Sequence, residues 1–263
     1  MRPATLLILA LHLTVGLAAQ HPLVGTWEMI SGRGISAEGK KFAFDTTTRR
    51  EVKIITPTHY MLIAQDVRGD SLIFNRSYAG EVKLDGNKYH EAPLLASVEI
   101  FQDVETDFTW KLEGDIFIQS GSIRRPDGKK VVLEALQFRR VKPAVANSSN
   151  HVVGTWSQQP SQASGEPSAG SQAKAGTVRL QFITPTHWMQ ISRAGEKFEY
   201  AVGGTYTVHD KAMSMKTDYT SVEAPGKIDL RQSVNGQKLS IQGTLTRPDG
   251  NTTTWNDVFE KLH

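Results

Sequence analysis

Short runs rich in Val, Ile, Thr, Phe and Tyr alternate along the chain with Gly, Asn and Asp punctuation. Tyr78-Ala79-Gly80-Glu81-Val82-Lys83-Leu84 is followed by Asp85-Gly86-Asn87 and then by Lys88-Tyr89-His90-Glu91. Phe108 to Leu112, Glu113-Gly114-Asp115 and Ile116 to Gly121 repeat the scheme, as do Ile228 to Val234, Asn235-Gly236-Gln237 and Lys238 to Ile241. Extended runs separated by tight Gly-containing turns predict consecutive β-hairpins. No segment after residue 19 carries a sustained helical period, so the expected class is all-β. A domain of consecutive hairpins must deal with its edge strands, and closure into an antiparallel up-and-down barrel removes them.

The pattern occurs twice. Val24-Gly25-Thr26-Trp27 returns as Val153-Gly154-Thr155-Trp156, Ile55-Thr56-Pro57-Thr58-His59-Tyr60-Met61 as Ile183-Thr184-Pro185-Thr186-His187-Trp188-Met189, and Arg125-Pro126-Asp127-Gly128 as Arg247-Pro248-Asp249-Gly250. The spacing between partners shortens towards the C-terminus, as when loops lose residues while strands keep their order. Two equivalent barrels in tandem follow. The expected boundaries are 20–142 for the first domain, 143–150 for a linker with Pro143, Ala144 and Ala146, and 151–263 for the second domain. The long segments Ser31 to Thr48 and Ser157 to Gly176, the latter mostly Ser, Gln, Ala, Gly and Pro, are expected outside the barrels as mobile flaps.

Residues 1–19 pair one arginine with the apolar run Leu6 to Leu11 and end on Gly16-Leu17-Ala18-Ala19. This reads as a cleavable signal peptide, and hence as an exported chain, secreted or periplasmic, without an integral membrane anchor. The chain has no cysteine, which excludes disulfides and a lipid-modified N-terminal Cys. The formal charge of +3 is spread rather than gathered into blocks, which argues against nucleic acid as a partner. Nothing in the sequence sets the oligomeric state.

Together these features resemble the lipocalin-like branch of the calycin superfamily, particularly its small secreted bacterial members. Gly25-Thr26-Trp27 and Gly154-Thr155-Trp156 match the family's Gly-x-Trp on the first strand, each followed by a long loop. The resemblance implies that a basic residue on the last strand packs over each tryptophan. Arg140, after Phe138-Arg139, and Lys261, after Phe259-Glu260, hold that place. Trp27, Arg140, Trp156 and Lys261 are thus expected to close the barrels structurally, with lysine giving the weaker cation-π contact. No room follows Arg140 for the flanking helix of typical lipocalins, which leaves a reduced barrel open. Asp218-Tyr219 after Thr217 imitates another lipocalin signature, but Leu94-Leu95 stands there in the first half, so it reads as coincidence.

Strand alternation places His59, Met61 and Ile63 on one face, matched by His187, Met189 and Ile191. The change of Leu62 to Gln190 suggests that the opposite face tolerates polarity, so the histidine face is expected to line the lumen, unless a bulge at the preceding proline resets the parity. Tyr60 and Trp188 are expected either to seal the core or to contact a ligand. A lumen histidine would shuttle a proton or donate a hydrogen bond, while a structural histidine would be satisfied by a neighbour such as Thr58. Glu99 and Glu223, each in a Ser-Val-Glu triplet, are the clearest repeated acids, but no catalytic residue is assigned. No metal spacing is present, since His90-Glu91 has no counterpart in the other half, and no cofactor is implied. Asp127-Gly128 and Asp249-Gly250 read as turns.

The expected function is binding of a small apolar or amphipathic molecule in one or both barrels. One alternative is a hydrolase, isomerase or cyclase using His59 and His187 as acid-base groups. Another is an extracellular interaction module in which duplication adds avidity.

Overall fold

The computed structural model describes residues 21–143, 152–158, 176–209, 212–222, 227–246 and 249–262. The expected signal peptide, most of the linker and most of the second long segment lie outside them. The first half contributes β1 (Gly25–Ile35), β2 (Lys41–Asp45), β3 (Arg49–Ile55), β4 (His59–Arg68), β5 (Ser71–Asp85), β6 (Lys88–Ala96), β7 (Glu105–Glu113), β8 (Ile116–Arg124) and β9 (Lys130–Arg140). The second contributes β10 (Gly154–Gln158), β11 (Thr177–Ile183), β12 (His187–Ala194), β13 (Lys197–His209), β14 (Ala212–Thr220), β15 (Lys227–Asn235), β16 (Lys238–Thr246) and β17 (Thr252–Lys261). Glu99–Phe101 form a 3-10 turn, Val152 is also in 3-10 conformation, and among the described residues no helix is long and apolar enough to cross a membrane.

All pairings are antiparallel. Strands β10 to β17 form a closed eight-stranded barrel. The first half is a nine-stranded sheet that curls until β1 meets β9, with β2 added beside β1. The all-β, barrel-forming class expected from the hairpin pattern is therefore observed. The predicted turns sit where the chain reverses, and Gly86, Gly114 and Gly236 adopt φ of 56°, 60° and 60° there, a conformation that glycine reaches without a Cβ penalty.

The segment from Ser31 to Thr48 corrects an expectation. It is not a flap outside the sheet, because Ser31 to Ile35 pairs with Lys41 to Asp45. Phe42 and Phe44 stack at 5.7 Å and pack against the first barrel's core. They fit because β1 has glycine beneath them: a Cβ on Gly32 would lie 2.3 Å from the Phe44 ring and one on Gly34 2.7 Å from Phe42. Two phenylalanines supplied the apolar area that the polar composition of the loop concealed.

Three apolar clusters organise the molecule. One fills the first barrel around Trp27, Tyr60, Leu62, Tyr89, Phe117 and Phe138. A second lies in the other barrel around Trp156, Trp188, Tyr206, Met213, Leu239 and Phe259. The third joins the halves: Val52, Ile54, Met61, Ile63, Ala79 and Leu95 pack with Leu180, Phe182, Met189, Ile191, Ala201 and Tyr219. Strands β3 and β4 are thus buried on both faces, one towards their own barrel and one towards its neighbour.

The junction between the halves is pseudo-symmetric. Thr26 bonds Thr184 across it at 2.7 Å, and the repeat-related pair Thr155 and Thr56 meets at 2.8 Å. Each of these turn threonines also donates to the backbone carbonyl of the histidine three residues on, Thr56 to His59 and Thr184 to His187. The repeated Ile-Thr-Pro-Thr-His sequence is therefore a tight strand connection that also clasps the other half.

Candidate functional site

The structure corrects the expected lumen face. On β4, Tyr60 and Leu62 belong to the first barrel's core, while Met61 and Ile63 belong to the shared cluster. The same holds on β12 for Trp188 against Met189 and Ile191. Met61, Ile63, Met189 and Ile191 do not line a lumen, and His59 and His187 share their face. The strands at the junction carry apolar side chains on their outer face because the other barrel covers it. Gln190, whose polarity pointed to the face opposite the lumen, lines the second barrel's cavity.

His59 accepts from or donates to Thr58 Oγ1 through Nδ1 at 2.8 Å, and burial pulls its pKa down against the opposing charge of Glu81. His187 is more extreme. Burial lowers its pKa to about 4, opposed by Asp218 and reinforced by Arg50 from the other half. Its Nδ1 has no hydrogen-bond partner among the described residues. Neither imidazole faces a barrel interior, so neither can act on a molecule held there. Glu99 is exposed on the 3-10 turn, and Glu223 lies outside the described residues. Among the described residues no group of three or more His, Asp or Glu side chains is arranged to hold a metal ion.

The tryptophans and terminal cations form matched assemblies. Trp27 and Trp156 are fully buried, and their indole N–H groups donate to the carbonyls of Leu23 and Val152 at 2.8 and 2.9 Å. The Arg140 guanidinium lies 4.1 Å from the Trp27 ring centroid and the Lys261 ammonium 5.4 Å from that of Trp156. The glycine of each Gly-x-Trp makes room. Gly25 and Gly154 have φ of 143° and 147°, and a Cβ on either would fall 3.0 Å from the cation's side chain.

The two interiors are different. In the first barrel Lys53 Nζ donates to Glu91 Oε1 at 2.7 Å and to Gln119 Oε1 at 2.9 Å. The Tyr89 hydroxyl donates to the same Glu91 oxygen. Around this group Trp27, Phe117, Tyr89, Phe108 and Phe138 touch ring to ring, with centroids 5.3 to 6.1 Å apart. Aromatic rings, the Lys53–Glu91 pair and a second ion pair, Arg76 with Glu51 at 2.9 Å, occupy the space.

In the second barrel a cavity of about 260 Å³ is lined by Trp188, Val202, Met215, Leu230, Ile241, Trp255 and Phe259 on its apolar side, and by Arg179, Gln181, Gln190, Tyr200 and Asp257 on its polar side. Arg179 reaches both Asp257 oxygens at 3.3 Å, and Gln158 bonds both members of the pair. Two donors on this wall have no partner among the described residues: Arg179 Nε and Trp188 Nε1. Both residues are more than nine-tenths buried, where an unmade hydrogen bond costs ~1–3 kcal/mol. Trp255 lies across Gly243, where a Cβ would meet its ring at 2.1 Å, and the half-exposed Val222 completes the mouth.

Of the expected ligand residues, only Tyr60 and Trp188 turn inward, and only Trp188 meets this cavity. Arg179, Gln181, Tyr200, Trp255 and Asp257 were missed. A signal existed in Val178-Arg179-Leu180-Gln181-Phe182, whose strict alternation sets two polar residues on one face of a strand. It was overlooked because the first half has Glu51 and Lys53 at the same places, so the repeat did not preserve residue type.

A scan against protein-family models finds no match, and a search of curated proteins finds none either. Among solved structures the chain is similar to a protein of unknown function of the DUF3598 family from Nostoc punctiforme PCC 73102, at 12% identity over 91% of this chain and 96% of that one, with a TM-score of 0.27.

Proposed function

We propose that this is an exported binding protein that holds one small amphipathic molecule in its second barrel, while the first barrel is a structural partner. The observation that carries the reading is the pair of orphaned donors, Arg179 Nε and Trp188 Nε1, in residues that line a cavity with one apolar and one polar side. A ligand with an apolar body and a hydrogen-bond acceptor would satisfy them. Because Asp257 already neutralises Arg179, the acceptor fits best as a carbonyl, ether or hydroxyl oxygen rather than a full anion. The volume of about 260 Å³ lies just under the ~300 Å³ lower end of small-molecule sites, which favours a compact ligand. The apolar run near the N-terminus supports export.

Native mass spectrometry of protein purified from its exported fraction without denaturant tests this. One small-molecule adduct per chain is expected, absent in Leu230→Phe, which puts into the cavity the ring that Phe108 supplies in the first barrel. Retention of the adduct by Leu230→Phe would remove the second barrel as its site. Bare mass for the wild type, together with no heat-stabilising hit from a panel of neutral amphiphiles, would sink the reading.

A further inference from the structure

A second cavity, about 590 Å³, lies between the two halves, outside both barrel interiors. Its walls are repeat-related: Gly25, Thr26, Thr56, Pro57 and Thr58 face Gly154, Thr155, Thr184, Pro185 and Thr186. Among the described residues its lining holds three cations, Arg140, Lys142 and Lys261, and no acidic residue. Lys142 is answered by Asp115. Arg140 and Lys261 have no carboxylate within salt-bridge distance among the described residues, and only the more distant charge of Asp115, already held by Lys142, acts on Arg140. The guanidinium of Arg140 donates to the carbonyls of Val24 and Pro22, and Lys261 rests on the Trp156 indole. Each is partly buried and fixed by its tryptophan and by the missing Cβ of its glycine.

We propose that this cleft is an anion site for an organic diacid, with one acidic group at Arg140 and the other at Lys261. A partly buried cation with no carboxylate in contact gains more from an arriving carboxylate than a solvated one, since part of its desolvation has already been incurred in folding. The two cations are positioned in advance, so little side-chain entropy is lost on binding. Between them, threonine hydroxyls from both halves offer hydrogen bonds, and Ile55, Val141, Val153, Ile183 and Leu262 offer contact for an apolar spacer. The site exists only in the duplicated chain, because each half supplies one cation. It is separate from the second barrel's cavity, which shares none of its lining residues.

Calorimetric titration of the full chain at low salt with the linear dicarboxylates from succinate to sebacate, and with the monocarboxylates of matched length, tests the proposal. One site per chain is expected, with affinity passing through a maximum at one spacer length and the best diacid binding about tenfold more tightly than its monoacid, as for one added charge-assisted contact. Lys261→Gln should reduce the diacid to the monoacid's affinity and Lys261→Arg should restore it. Leu230→Phe should change it by less than about twofold, as for a remote site. Thermal melts of each variant verify folding. No saturable diacid uptake by the wild type, equal affinity for diacid and monoacid, or uptake indifferent to Lys261→Gln in a folded variant would each overturn the proposal. Loss of binding in Leu230→Phe would reassign the diacid to the second barrel.

Discussion

The two halves share turn sequences, strand registers and the tryptophan-cation closure, yet differ at a handful of matched interior positions. Register equates Tyr78 with Val202, Tyr89 with Met213, Phe108 with Leu230 and Phe117 with Leu239. Four aromatic rings in the first barrel are therefore aliphatic side chains in the second. Glu91 likewise corresponds to Met215, Lys53 to Gln181 and Gln119 to Ile241, so the Lys53–Glu91 pair is missing as well. The second barrel places its own charge pair, Arg179 with Asp257, where the first has Glu51 and Leu136. A conserved strand frame thus carries either a packed plug or a lined cavity, because barrel closure depends on backbone pairing and the lumen depends on side-chain volume.

That comparison is broken most severely at Lys53. Lys53→Met leaves Glu91 charged and unpaired in an aromatic core and should cost ~3–5 kcal/mol in urea denaturation, with much of the loss recovered by adding Glu91→Leu. An equal cost from Lys53→Met with or without Glu91→Leu would show that packing, rather than the stranded charge, is responsible.

The next test addresses the symmetry of the shared face. Met61→Ala and Met189→Ala each remove a fully buried side chain from the junction and should each cost ~2–4 kcal/mol, with similar midpoint shifts. A cost for one and none for the other would mean that the halves do not contribute equally to their common core.

His187 separates the halves by pH. Its pKa is about 4 in the folded chain against an ordinary 6.5, so between these values the unfolded chain binds the proton and the folded chain does not. Its contribution is fully present above pH 6.5 and is lost as pH falls towards 4, lowering stability by up to ~3 kcal/mol. His187→Gln should flatten that part of the stability-pH curve, whereas an unchanged slope would assign the acid sensitivity to other groups.

The smallest effect sharpens the contrast between plug and cavity. The Tyr60 hydroxyl is buried without a partner among the described residues, and burial drives its pKa well above the usual phenol value. Tyr60→Phe should therefore raise stability by ~0.5–1 kcal/mol. Trp188→Phe removes the corresponding orphan of the second barrel and should leave the ligand-free melting point within about 2 °C while weakening ligand uptake several-fold. Equal ligand uptake by wild type and Trp188→Phe would exclude the indole donor from the site.

The hairpins, the all-β class and the duplication were legible because turn glycines and period-two strands are local signals that each half states independently. The facing of β4 and β12 was not. A strand buried on one side alternates apolar with polar, and the expectation relied on that rule. The run Tyr60-Met61-Leu62-Ile63-Ala64 is apolar throughout, which is the mark of burial on both faces. Read in that way, it would have indicated a second packed surface without saying what covers it.

The sequence by itself determined two repeated sets of strands joined by glycine-containing turns, since these follow from local backbone geometry and the period of the side chains. Tertiary structure alone decided that the histidine faces meet across a junction rather than enclose a lumen, that Phe42 and Phe44 return to cover the first barrel, and that Arg140 and Lys261 open onto one cleft. Each of these joins residues far apart in the chain. Their proximity depends on how two closed surfaces dock, which no local period encodes.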